Sequence, residues 1–144
     1  MPITFHPKPG NVLICDFKGN EVPEIVKRRP VVVISPAHLR RPGLVTVVPL
    51  STTAPDPVAP YHYLLTGNPV PGEGAKEVWA KCDLVTSVRA ERLDRFKIDR
   101  GNYQMGHVSM EQVRVIRYRV ALSLGLTAEE FLLHNTAVSR SSGL

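Results

Sequence analysis

Lys27-Arg28-Arg29-Pro30-Val31-Val32-Val33-Ile34-Ser35 is the stretch that decides how this chain folds. Val31 to Ile34 are four consecutive β-branched residues, which lose χ1 freedom in a helix and pack well on a pleated surface. Pro30–Ser35 therefore reads as a buried strand. Pro30 also restricts the residue before it to an extended backbone, so the direction of Arg29 is tied to that strand. Three bases ahead of a strand are ordinarily a solvated loop end. Here the last of them is expected at the rim of whatever core buries the valines.

Outward from that strand the pattern repeats in short units. Asn11–Phe17 is the expected first strand, and Lys18–Arg28 is a polar loop holding Gly19, Asn20 and Pro23. His38–Gly43 is a basic turn, followed by a strand over Leu44–Leu50. Ser51–Pro60 cannot be regular, because Pro55, Pro57 and Pro60 remove donors and fix the backbone. Tyr61–Thr66 resumes as a strand, and Gly67–Gly74 is another Pro/Gly loop. Val78–Cys82 and Leu84–Val88 read as the last strong strand pair. Arg89–Arg95 makes a helical turn, and Phe96–Ile98 with Tyr103 adds a closing edge. Short Val/Ile/Leu-rich runs punctuated by 13 prolines and 10 glycines point to a small barrel or sandwich.

The character changes at Ser109-Met110-Glu111-Gln112, a capping-box match with Ser109 as N-cap and Gln112 reaching back. Met110, Val113, Ile116, Val120 and Leu124 fall near one helical face, which is expected to pack on the barrel. Gly125 is placed to end this helix, with Leu126 as its apolar companion. Thr127 and Glu130 form a second capping box for a short helix ending near His134. The fold class is thus mostly β (α+β), a small barrel with a C-terminal helix. Residues 1–134 form one domain and 135–144 a Ser-rich flexible tail.

Composition narrows the function. A length of 144 residues fits one domain. No apolar run approaches the 18 residues of a membrane span, and the N-terminus lacks the charged and apolar regions of a secretory signal, so a cytoplasmic protein is expected. Cys15 and Cys82 belong to no C-x-x-C motif and read as small buried thiols in a reducing compartment. A net charge of +5 favours polyanions or an acidic partner without identifying either. His6, His38, His62, His107 and His134 are scattered without metal-ligand spacing, so no metal or other cofactor is expected.

Val47-Val48-Pro49-Leu50-Ser51-Thr52-Thr53 supplies the remaining chemistry. Three hydroxyls after a strand are usually turn formers. Neighbouring strands of a small barrel would nevertheless bring Ser51 and Thr52 to the rim that holds Arg29, where an Arg and a hydroxyl could meet one phosphate. Lys18, Lys27, Arg28, Arg40 and Arg41 lie on expected loops and suit phosphate contacts. In Tyr61-His62-Tyr63 the two tyrosines share one face and His62 takes the other. The tyrosines fit either base stacking or edge packing. Trp79 reads as a core or dimer anchor, and Arg89, Arg92 and Arg95 as a face interleaved with Glu91 and Asp94.

The order of Pro9-Gly10-Asn11-Val12, Asp16, Arg28-Arg29-Pro30-Val31-Val32-Val33-Ile34-Ser35, Val48-Pro49-Leu50-Ser51-Thr52, Lys81-Cys82-Asp83-Leu84-Val85 and Arg92-Leu93 resembles the PemK/MazF toxin family, from about Pro9 to Leu126. The resemblance implies an SH3-like barrel, a homodimer, metal-free cleavage of single-stranded RNA, and a cognate antitoxin whose acidic segment occupies the RNA groove. It implies catalysis by Arg29 with a hydroxyl that aligns best with Ser51, Thr52 being its neighbour. Ser51 stands where the family usually has Thr. Lys18, Lys27, Arg28, Arg40, Arg41 and His62 are the expected RNA contacts. The stretch Asp56–Lys76 is longer than in compact members, so the recognised RNA sequence does not carry over. Two other readings remain open at this stage. One is a toxin of the same fold that traps DNA gyrase through its C-terminal helix. The other is an SH3-like module that binds RNA or a peptide without cutting.

Overall fold

In a computed structural model of the chain, residues 3–38, 41–127, 129, 130 and 132 are described. Arg40, the expected end of the second short helix and the tail 135–144 lie outside them.

Among the described residues, ten strands and one long helix follow in order: β1 (Asn11–Cys15), β2 (Arg29–Val33), β3 (Leu44–Ser51), β4 (His62–Leu64), β5 (Trp79–Lys81), β6 (Thr86–Arg89), β7 (Leu93–Asp94), β8 (Phe96–Asp99), β9 (Asn102–Gln104), β10 (Gly106–His107) and α1 (Met110–Ser123). The centre is an antiparallel meander, β1 beside β2 and β2 beside β3. Its eight-stranded sheet runs β10-β1-β2-β3-β5-β4, with β6 also pairing β3 and β7 also pairing β1. All of these pairings are antiparallel.

That connectivity forces the sheet to curl. Laid flat, β6 and β7 would be separated by four strand spacings of about 4.8 Å, or about 19 Å. Only the 3-10 turn Ala90–Arg92 joins Arg89 to Leu93. Four residue steps reach at most about 14 Å. The flanks of the meander therefore close toward each other, barrel-fashion, and Val88 of β6 and Leu93 of β7 share one buried cluster with Leu13, Cys15, Val31, Val33, Val45 and Val47. The other face of the meander, with Val12, Val32, Val48 and Leu50, is packed under Ile116 of α1. Val31, Val32 and Val33 are fully buried, as the β-branched run requires.

Several expectations change in detail. The stretches around Val78–Cys82 and Leu84–Val88 do not pair with each other. β5 pairs the end of β3 at Leu50 and Ser51, while β6 pairs its beginning from Leu44 to Val47. A 3-10 turn, Cys82–Leu84, separates them and swings the chain from one end of β3 to the other. Phe96–Asp99 pairs with Asn102–Gln104 as a separate hairpin rather than closing the main sheet. Ser109 caps α1 by accepting from the Gln112 N–H at 3.1 Å, but the Gln112 side chain accepts from the Thr66 N–H instead of reaching back. Half of the capping box has become a tie to the bend that follows β4. Val113 and Ile116 are buried as expected, whereas Met110 and Leu124 at the ends of the same stripe are 43% and 77% exposed, so the docked face is shorter than its period suggested. Gly125, at φ +88°, ends the helix, and the Leu126 N–H bonds the Ala121 carbonyl as a Schellman closure demands. Thr127 and Glu130 bond each other reciprocally, the second expected capping box. Cys15 and Cys82 are free and buried, and burial pushes both thiols up to about 12. Among the described residues, no helix is long and apolar enough to cross a membrane.

Candidate active site

The β2–β3 pairing ends at Val31 and Pro49, and just beyond it Arg29 at the start of β2 and Ser51 at the end of β3 line the same two pockets. Side chains alternate along a strand, so Arg29 shares a face with Val31 and Val33, and Ser51 with Val45 and Val47. Those four valines belong to a single cluster inside the curl. Arg29 and Ser51 thus project together at the mouth of the curled sheet. Arg29 is exposed and Ser51 half-buried. The Ser51 Oγ accepts from the Thr53 N–H at 3.1 Å, which fixes the bend after β3. Thr52 and Thr53 are exposed.

Two pockets flank this pair and have Arg29, Leu50 and Ser51 in common. The larger, about 290 Å³, has walls of Ile25, Val26, Pro49, Leu50 and Leu84, with Glu24, Lys27 and Lys81 at its polar margins. The smaller, about 100 Å³, is bounded by Pro30, Thr52, Thr53, Val70, Glu73 and Val78. Arg29 and Ser51 form the ridge between an apolar recess and a polar one.

The arginines separate sharply by what they hold. Arg92 donates to the carbonyls of Asp16 and Lys18, Arg117 to that of Ile34, and Arg119 to those of Pro60 and His62. Arg89 lies 3.6 Å from Glu91, and Arg95 stacks over Tyr103. The Arg29 side chain makes no hydrogen bond or ion pair among the described residues. An uncommitted guanidinium beside a hydroxyl is a ready receptor for a phosphate oxygen.

The other expected site residues divide. Lys27 lines the larger pocket and Thr52 the smaller. Arg28 is exposed on the same approach to β2. Lys18 is exposed in the loop after β1, its N–H bonded to Asp16 Oδ1, and lines neither pocket. Arg41 lines a separate cleft of about 480 Å³ with Ser35, Thr46, Ser87 and Arg117. His62 is held in the scaffold: its Nδ1 accepts from the Ala59 N–H at 2.9 Å, and its Nε2 faces Asp83 at 4.0 Å. Tyr61 and Tyr63 pack against the helix-side core, with Arg119 over the Tyr63 ring. That packing is the second of the two roles open to them in the sequence.

Sequence reading missed Glu24, Ile25, Val26, Lys81, Leu84, Val70 and Glu73 as pocket walls. Lys81 had a faint signal, since it flanks the buried Ala80 in a strand and so points the other way. The rest lie on loops or turns, where no period relates position to direction.

Residues 8–124 match the family described as PemK-like, MazF-like toxin of type II toxin-antitoxin system. No curated protein matches the chain. Among solved structures, MazF of Deinococcus radiodurans is similar with a TM-score of 0.62 and 21% identity, over 85% of this chain and 99% of that one. The Mycobacterium tuberculosis toxin MazF-mt6 is similar with a TM-score of 0.56 and 19% identity, over 81% and 97%. The MazE-MazF structure from Deinococcus radiodurans gives 0.58 and 20%, over 85% and 99%. These likenesses establish the fold, and the family match, covering most of the chain and all three central strands, establishes more: this protein belongs to the PemK-like, MazF-like toxins of type II toxin-antitoxin systems.

Proposed function

We propose that the protein is a metal-independent, sequence-selective endoribonuclease that cuts single-stranded RNA, such as mRNA, through attack of a ribose 2′-hydroxyl on the adjacent phosphorus. The observation that carries this reading is the uncommitted Arg29 guanidinium, which lines the same two pockets as Ser51. RNA supplies its own nucleophile, so the protein's task is to hold the phosphate and stabilise the charge that builds on its oxygens. Arg29 does the second, and Ser51, with Thr52 beside it, donates a hydrogen bond to the same group. Ser51 is favoured over Thr52 because it borders both pockets and faces the same way as Arg29.

The magnitudes are adequate. A unit charge about 4 Å from the phosphoryl oxygens contributes about 4 kcal/mol at an effective dielectric near 20. If half is specific to the transition state, the rate rises about 30-fold. Loss of one preorganised donor from such a site typically costs about 10²–10³ in kcat. The apolar walls of the larger pocket suit a nucleobase, while Lys27 and Lys81 at its edge suit the backbone.

The same groove fits an acidic antitoxin segment, because Arg29, Lys27, Arg28 and Lys81 gather positive charge that no carboxylate neutralises through an ion pair among the described residues. The solved MazE-MazF pair supports this reading of the partner. The test is incubation of a long single-stranded RNA with the purified protein in excess EDTA. Recurrent cuts leaving 2′,3′-cyclic phosphate and 5′-hydroxyl ends support the proposal. RNA left intact by folded protein overturns it and favours a gyrase-directed or purely binding role.

A further inference from the structure

The mechanism so far leaves the 2′-hydroxyl proton without a destination. Arg29 faces the phosphoryl oxygens, and a guanidinium presents N–H donors and no acceptor. His62, the histidine nearest in sequence to the hydroxyl run, has Nδ1 engaged by Ala59 and lines neither pocket. The smaller pocket supplies one candidate. Glu73 lines it together with Arg29, Ser51, Thr52 and Thr53.

Resting on the ribonuclease reading, we propose that Glu73 is the general base, taking the proton of the attacking 2′-hydroxyl in the smaller pocket. Asn68 holds the carboxylate in place: its Nδ2 donates to Glu73 Oε2 at 3.1 Å and to the Lys76 carbonyl at 3.0 Å, and its Oδ1 accepts from the Val70 N–H at 2.9 Å. Both polar side-chain atoms of Asn68 are thereby spent on shaping this loop and aiming Glu73. Glu73 Oε1 has no partner among the described residues and remains open as an acceptor. Glu73 is half-buried, and Arg29 of β2 is the other charged residue lining the pocket. A small, polar recess beside Ser51 suits a ribose hydroxyl better than a base ring, whereas the apolar recess on the other side of the ridge suits the base.

In the step so assigned, Glu73 receives the 2′-O–H proton as the 2′-oxygen bonds to phosphorus. The phosphorus–5′-oxygen bond breaks, and the leaving 5′-oxygen takes a proton from water. The products are a 2′,3′-cyclic phosphate and a 5′-hydroxyl, and Glu73 returns its proton to solvent. Arg29 stabilises the phosphorane oxygens throughout. Seating this loop depends on β10: a Cβ on Gly106 would run into the Pro69 carbonyl oxygen, so only glycine lets the segment that carries Glu73 lie against the sheet.

The experiment compares the wild-type full chain, E73Q and R29A on one RNA oligonucleotide containing a mapped cleavage site, in EDTA, with KM and kcat separated and pH varied. E73Q retains the shape and the acceptor for Asn68. Its kcat is expected to fall about 10²–10⁴-fold, the usual contribution of a general base. The acid limb of the wild-type pH–rate profile should vanish with it, while affinity for the same oligonucleotide carrying a 2′-O-methyl group at the cut stays within about threefold of wild type. Cleavage by E73Q at near wild-type kcat overturns the assignment. So does a changed cleavage sequence at undiminished kcat, which would make Glu73 a reader of base edges. If the wild type itself does not cut RNA, the ribonuclease reading fails. If the wild type cuts, R29A does not and E73Q does, only the inference about Glu73 fails.

Discussion

The role proposed for Arg29 rests on its neighbours in sequence and on the hydroxyl beside it. Pro30 restricts the Arg29 backbone, the buried valines anchor its strand, and Ser51 at the end of β3 lines the same pockets. R29A is expected to keep the fold, because the side chain is exposed and bonds nothing among the described residues, yet to lose about 30- to 1,000-fold in kcat/KM for RNA. R29K, a compact ammonium without the planar fork, should recover only part of that loss. S51A should cost at least about tenfold and S51T little, while T52A stays within about threefold. A T52A loss exceeding that of S51A would reverse the hydroxyl assignment. At this scale the sequence exposed Arg29, because proline and β-branched residues constrain direction as well as secondary structure. It also placed Ser51 near Arg29, because both end runs that had to be strands. It did not expose Glu73, whose position depends on the Asn68 bonds within a loop, and periodicity says nothing about loops.

Among the elements, the meander β1–β3 was legible in its composition, since Val-rich runs bounded by Gly and Pro admit few alternatives. The two-residue strands β7 and β10 were not, because two residues carry no period. Nor could pattern alone tell that β5 and β6 both pair with β3, since pairing partners depend on where the Cys82–Leu84 turn sends the chain. Gly106 sits where such a short strand meets the site loop. G106A is expected to lower the melting temperature and to reduce RNA cleavage together, because the Pro69 carbonyl must move to admit a methyl group. Retention of both would show that the loop is not seated as described. S109A should cost about 1 kcal/mol of stability through loss of the α1 N-cap, with little effect on catalysis, since Ser109 lines neither pocket. Denaturant melts check the first part and initial rates the second.

For the whole molecule, two fully buried thiols set an alkaline limit. Burial raises Cys15 and Cys82 from 9.0 to about 12 in the folded state, so both remain neutral there while the unfolded chain ionises. Their stabilising effect is full below about pH 9 and is lost as pH rises toward about 12. Melting temperature should therefore fall across that window, less steeply in C82A than in wild type, and neither thiol should react with a thiol reagent until the protein unfolds. A homodimer, implied by the family resemblance, is expected by light scattering; a monomer that still cuts RNA would show that each site is complete within one chain. The net charge of +5 and the open cations at the ridge predict RNA affinity that falls steeply with salt. The proposed metal-independent nuclease activity rests on Arg29 beside Ser51. Its most direct measurement is digestion of a long single-stranded RNA in excess EDTA by wild type and R29A side by side. Recurrent cuts with 2′,3′-cyclic phosphate ends in the wild type, absent with R29A, are the predicted result. Equal cleavage by the two proteins, or RNA left whole by a folded wild type, would contradict it.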